Sequence, residues 1–148
     1  MSRVGRLPRI VIDTSVVVSA LRSRLGASNR LLRLVALGRV RPLVTTSLFL
    51  EYEAVLKRPA QLLASRLRTT DVDRILSALA AACEPVEVRF RWRPQLADVA
   101  DEMVLEAAVN GRADALVTHN SRDFAAAAPR FGLLVLTPSE LIRRIEDE

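Results

Sequence analysis

The chain has 148 residues, half of them hydrophobic, with one cysteine, one histidine, and 22 basic against 17 acidic residues for a net charge of +5. That length fits one domain with a sizeable core, and no apolar run approaches the roughly 18–20 residues that a membrane span requires. Cys83 alone excludes a disulfide framework or a thiolate zinc site, and with His119 as the only imidazole any bound metal must be sought among oxygen ligands.

The N-terminal MSRVGRLPR is basic and lacks the apolar stretch and cleavage site of a secretory signal, so a cytoplasmic location is expected. All but one of the 22 basic residues are arginine. The planar guanidinium suits phosphate, although an arginine-rich composition also follows from genomic base composition. Arg3, Arg6, Arg9, Arg22, Arg24, Arg30, Arg33, Arg39 and Arg41 load the first third, whereas the chain ends in acidic EDE. The asymmetry favours a basic face toward a polyanion.

In chain order, RIVID (9–13) reads as a β-branched strand ending in Asp13, and TSVVVSALRS continues at helical spacing. NRLLRLVALG forms a second helix stopped by Gly38. VRPLVTT reads as a strand, after which Ser47 is placed to cap LFLEYEAVLKR, a helix ended by Pro59. AQLLASRL and TTDVDRILSALAAAC are helical, the second with Thr70 or Asp71 as cap, and Cys83 is a small core or edge residue. EPVEV (84–88) is a short strand candidate and RFRWRPQ a loop. Then follow a helix carrying ADEMVLEAAV, the strand ADALVT, the polar segment HNSRDF, the strand LLVLT and a last helix from Pro138. Apolar strands alternating with helices predict a three-layer α/β fold with a central parallel sheet covered on both faces.

Ligands of such a sheet sit beyond the carboxyl ends of its strands. Asp13 and Ser15 stand there after the first strand, Thr118 and Asn120 after ADALVT. Asp101 falls inside the apolar arc of Val104, Leu105, Ala108 and Val109, where a carboxylate needs a reason, and Asp98 lies one turn earlier on the same side. Glu51 borders the arc of Leu48, Tyr52, Val55 and Leu56, whereas Glu53 faces out and is spaced to pair with Lys57.

Each acid also has an innocent reading. Asp13 and Asp123 can cap the helices that follow them, and Asp98 reads first as an N-cap. Asp101 and Glu51 can each pair with a buried arginine, and Ser15 and Thr118 can bond turn backbone. Asp71, Asp73 and Asp114 begin regular elements and carry no expected function. His119 reads as a turn residue or an RNA contact. Taken together, several carboxylates aimed at one crevice repel unless a cation lies between them, and Mg²⁺ suits an open acidic pocket. With Asp13, Glu51, Asp98, Asp101 and Asp123 set aside, twelve acids face 22 basic residues and the remainder carries +10, as befits a cleft that handles phosphodiesters.

The segments IVIDTSVVVSA, TTSLFLEYEAVL, DVADEMVLEAA and ADALVTHNSRDF occur in the order and at the approximate spacing of the PIN-domain family. The chain resembles its bacterial toxin-like members, the VapC-type toxins of toxin–antitoxin pairs, from about Arg9 to Ile142. The resemblance implies a single Rossmann-like PIN domain over residues 1–148, with a core at about 9–142, a basic N-terminal arm and a short acidic tail. It implies a ribonuclease that uses Mg²⁺ or Mn²⁺, with Asp13, Glu51 and Asp101 as the catalytic acids. Asp13 and Asp101 then hold the metal, Asp98 is an accessory, and Ser15 and Thr118 support. The fourth family acid commonly stands two residues after the threonine, where this chain has Asn120, so Asn120 or Asp123 is the remaining metal position. RNA as substrate, a small antitoxin protein as partner and a homodimer are the further implications; Tyr52 and Trp92 are available to stack on RNA bases, although core packing is the first reading of Tyr52.

Two other acid-bearing α/β sites fit less well. A phospho-acceptor receiver needs a late lysine and the only lysine is Lys57, while a haloacid-dehalogenase-like phosphatase needs an acid where Ser15 stands. A PIN-like RNA- or partner-binding module, its pocket decayed at Asn120, is the main alternative.

Overall fold

The computed structural model describes residues 6–90, 96 and 98–147. Arg3 and Trp92 lie outside the described residues. Among these residues five short strands, β1 (Arg9–Ile12), β2 (Arg41–Val44), β3 (Glu84–Pro85), β4 (Ala115–Val117) and β5 (Val135–Leu136), form one parallel sheet in the order β3-β2-β1-β4-β5. Among the described residues seven α-helices surround it: α1 (Thr14–Arg22), α2 (Ala27–Ala36), α3 (Thr46–Leu56), α4 (Pro59–Ser65), α5 (Thr69–Ala82), α6 (Val99–Asn110) and α7 (Pro138–Glu146).

The chain moves outward from β1 through β2 to β3, then returns across the sheet to β4. Parallel crossovers are right-handed, so connections running in opposite directions place their helices on opposite faces. Accordingly α6 lies across β1, β2 and β4, while α2 packs with α1, α5 and α7. Ile10, Val11 and Ile12 point alternately to the two faces and are all buried, as are Ala115, Leu116 and Val117. Only a sheet covered on both sides gives that pattern, which is the expected three-layer α/β architecture.

Several element boundaries differ from expectation for local reasons. Thr45, not Ser47, caps α3: its Oγ1 accepts from the Leu48 N–H at 3.1 Å, and Ser47 lies inside the first turn. Helix α5 starts at Thr69 with Arg68 as its N-cap residue, and the Asp71 Oδ2 accepts from the Arg68 N–H at 2.9 Å. Pro59 does not merely stop α3, which ends at Leu56, but opens α4, where its missing N–H costs nothing. Only two residues of EPVEV join the sheet. The alanine run after Phe124 is bracketed by two 3₁₀ turns, Ser121–Phe124 and Ala128–Phe131, rather than forming an α-helix.

The amino end of the sheet is closed by ion pairs. The Arg9 guanidinium meets Glu84 at 2.7 Å, the Arg9 N–H donates to Asp114 at 2.8 Å, and Arg6 lies 3.6 Å from the same carboxylate. Asp114 is thereby accounted for structurally. So are Glu53 and Asp73, which share the Lys57 ammonium at 3.0 and 2.6 Å. Gly111 ends α6 where the backbone comes closest to the sheet: a Cβ there would stand 2.8 Å from the Ala107 carbonyl, 2.9 Å from Val86 and 3.0 Å from Leu43. The absent side chain lets α6 settle onto β2.

Candidate active site

The reversal of strand order between β1 and β4 opens a crevice at their carboxyl ends. Asp13 stands at the end of β1, only 5% exposed. It occupies the N-cap position of α1, yet its side chain makes no cap hydrogen bond. The capping account therefore fails. Instead Oδ2 accepts from the Ser15 hydroxyl at 2.8 Å and from the Thr118 hydroxyl at 2.6 Å. Both of these expected supports reach the same oxygen. Thr118, fully buried, also accepts from the Asn120 N–H at 2.9 Å, so one hydroxyl joins β1, β4 and the turn beyond.

Helix α6 brings the second acid. Asp98 caps it, accepting from Ala100 N at 2.7 Å and Asp101 N at 3.3 Å, as its first reading held. Asp101, one turn in, has its carboxyl pushed up to about 6, first by partial burial and then by the carboxylates of Asp13, Asp123 and Asp98. Three acids from three regions of the sequence thus act on Asp101. The arginine account of Asp101 fails, since among the described residues its side chain has no hydrogen bond or ion pair.

Glu51 lies on α3, half-buried, and likewise has no hydrogen bond or ion pair among the described residues. It is not among the acids that raise Asp101. Asp123 sits in the 3₁₀ turn after Asn120 and is exposed; it is one of the carboxylates that raise Asp101. Asn120 is also exposed and its side chain makes no hydrogen bond among the described residues. His119 is tied away from the acids, with Nε2 2.7 Å from the Ser28 hydroxyl at the start of α2.

Tyr52 follows its packing reading rather than the stacking one. It is 2% exposed and unable to stack on RNA; its hydroxyl donates to the Ile12 carbonyl, the peptide oxygen immediately before Asp13. Burial, helped by Cys83 and Asp13, raises the phenol well above the ordinary tyrosine range, so the donor proton stays in place.

Among the described residues no three His, Cys, Asp or Glu side chains form a ready-made metal cage. The donor set nevertheless suits a hard divalent ion. All its atoms are oxygen, one Asp13 oxygen is left without a hydrogen bond among the described residues, and the Asp101 and Asp123 carboxylates have none.

No curated protein matches the sequence. The family model described as PIN domain matches residues 9–122, spanning β1 to β4 and every helix from α1 to α6. PIN domains are as a family nucleases that bind divalent metal ions. A match over most of the chain, on a sheet that places Asp13, Asp98, Asp101 and Asp123 about one crevice, means that this protein belongs to the PIN-domain family.

Proposed function

We propose that the chain is a single-domain, Mg²⁺- or Mn²⁺-dependent endoribonuclease and the toxin of a toxin–antitoxin pair. The observation that carries the nuclease reading is the acidic quartet itself. Burial first, and then the carboxylates of Asp13, Asp123 and Asp98, hold the Asp101 carboxyl up at about 6, while Asp13 is itself held by Ser15 and Thr118. A stable fold does not need that repulsion, and a cation would relieve it.

Asp13 and Asp101 would hold the ion, with Asp98, Asp123 and the Asn120 carboxamide at its margin. When bound, the ion supplies Lewis-acid polarisation of the scissile phosphate. Glu51, unpaired by any described cation, orients the attacking water and accepts its proton. The water oxygen bonds to phosphorus and the bond from phosphorus to O3′ breaks, leaving a 5′-phosphate and, once O3′ is protonated, a 3′-hydroxyl. Arg122, exposed beside Asp123, is suited to the RNA backbone. Unpaired RNA fits best, because its bases can be splayed away from the reacting phosphate.

The toxin role, a small antitoxin protein as partner and a homodimer rest on the likeness of the ordered motifs to VapC-type toxins. A cytoplasmic location goes with them, since RNA and antitoxin are met there. No described helix is long and apolar enough to cross a membrane. One observation favours a second reading, a binding module without catalysis: Asn120 occupies the position after β4 where the family commonly has an acid.

Incubating the full chain with defined RNAs and millimolar Mn²⁺ separates the two. Cleavage that Asp13→Asn abolishes supports the nuclease. RNA binding without cleavage, untouched by that substitution, supports the module. Growth arrest on expression, relieved by a neighbouring small protein, tests the toxin role.

A further inference from the structure

We propose that Tyr52 is a positioning residue for the reaction: its hydroxyl locks the Ile12–Asp13 peptide and so sets Asp13 at a fixed place relative to Glu51. The proposal rests on the nuclease reading and adds a residue to it.

The peptide geometry supplies the argument. In a trans peptide the carbonyl and the following N–H point in opposite directions. The Asp13 N–H donates to the Val117 carbonyl at 2.9 Å, toward β4, so the Ile12 carbonyl points the other way, toward β2. The β1–β2 register pairs Arg9 with Arg41 and Ile10 with Pro42, and by Thr45 the chain has turned into α3. The Ile12 carbonyl lies beyond these pairs, and the Tyr52 hydroxyl takes it. One peptide plane is therefore gripped from both sides, by β4 at its nitrogen and by α3 at its oxygen. Rotation of that plane would swing the Asp13 carboxylate, so the two grips restrict its backbone as Ser15 and Thr118 restrict its side chain.

The same bond fixes α3 on the end of β1. Phe49 packs edge-on against the Tyr52 ring, with centroids 6.4 Å apart and planes at 65°. Leu48 and Leu56, one turn to either side of Tyr52, are fully buried. The ring cannot turn aside, and Glu51 follows from it by one step of a rigid helix. Phenylalanine would fill the same space, so the hydroxyl alone is what a tyrosine adds here.

The test compares Tyr52→Phe with Leu56→Ala, a cavity on the same helix face that lowers stability without touching the bond. Three properties are measured: the Asp13 amide resonance in ¹⁵N–¹H spectra, the affinity for Mn²⁺ alone by electron paramagnetic resonance, and kcat and KM on a defined RNA. For Tyr52→Phe we expect a displaced Asp13 resonance, a Mn²⁺ dissociation constant raised roughly tenfold, and kcat lowered on the order of tenfold or more with little change in KM. Leu56→Ala should lower Tm while leaving all three near wild type. The proposal is overturned if Tyr52→Phe leaves all three unchanged, or if Leu56→Ala reproduces its losses. Should the wild-type protein neither bind Mn²⁺ nor cleave RNA, the nuclease reading falls and with it the catalytic part of this proposal. The Asp13 resonance then still decides the bond: displaced in Tyr52→Phe alone, it keeps the grip on the peptide, and unmoved, it removes that too.

Discussion

The Thr118 hydroxyl donates to Asp13 Oδ2 at 2.6 Å, joining the carboxyl ends of β4 and β1 across 105 positions of sequence. A hydroxyl that donates to a carboxylate makes a bond of the stronger, charge-assisted kind. Thr118→Val keeps the volume, removes the donor, and also deprives the Asn120 N–H of its acceptor. We expect a loss of about 1.5–3 kcal/mol of stability by urea unfolding, together with reduced cleavage. Ser15→Ala, acting on the same oxygen from a more exposed position, should cost less.

Asp101 predicts a pH dependence with a definite sign. Its carboxyl is held up at about 6 by burial and by Asp13, Asp123 and Asp98, so the folded chain keeps this proton to a higher pH than the unfolded chain does. The resulting stability is complete below the ordinary aspartate range and is lost as pH rises through about 6. The effect is on the order of 1 kcal/mol once solvent screening of a partly exposed group is allowed for. Melting curves of metal-free protein between pH 4 and 8 should show the decline, and Asp101→Asn should flatten it and melt higher at pH 8. Mn²⁺ should raise the Tm of the wild type and not of the variant. Destabilisation by Asp101→Asn at pH 8 would argue against the crowding.

Glu51→Gln should separate catalysis from folding. The side chain has no hydrogen bond or ion pair among the described residues, so its loss should alter stability by no more than about 0.5 kcal/mol. A general base commonly contributes about 10²-fold or more in rate, and kcat should fall by that order with the Tm unmoved. An unchanged kcat would remove Glu51 from the mechanism.

Asn120 and Asp123 are the two candidates for the proposed fourth metal position. Asn120→Asp should tighten Mn²⁺ binding and lower metal-free stability, because it adds a charge to a crowded crevice. Asp123→Asn should do the reverse if Asp123 is the group in use. Isothermal titration of both variants decides, and unchanged affinity in either one removes that residue.

Gly111→Ala should destabilise by about 1–3 kcal/mol. The new Cβ meets Ala107 O at 2.8 Å and Val86 and Leu43 at 2.9 and 3.0 Å, and the backbone carbonyl cannot move aside without shifting α6. Gly132→Ala makes a comparison of opposite kind: nothing lies within 4 Å, but its φ of +61° disfavours any side chain.

What could be read in advance followed from residue type, and what could not depended on tertiary contact. Ile10 to Ile12 announce a strand covered on both faces, and a carboxylate within the apolar arc of α6 announces Asp101. Thr45, Thr46 and Ser47 are three hydroxyls in a row, and composition does not say which of them caps α3; the register of β2 does. Tyr52 on an apolar arc reads as packing, and its packing was correctly expected. Its hydroxyl partner, a carbonyl 40 positions away, follows only from how α3 docks on β1. Glu51 shows the converse: its place beside the apolar arc was legible, but its lack of a hydrogen bond or ion pair among the described residues was not.

The two ends of the sheet carry opposite electrostatic habits. At its foot Arg9 and Glu84, and Arg6 and Asp114, are attracted, while at its crest Asp13, Asp98, Asp101 and Asp123 repel. Monovalent salt shields both kinds of force, loosening the foot as it calms the crest, so sodium chloride should move the unfolding midpoint little. A divalent ion lodged at the crest touches only the second, and its effect on folding should be gain without a matching loss.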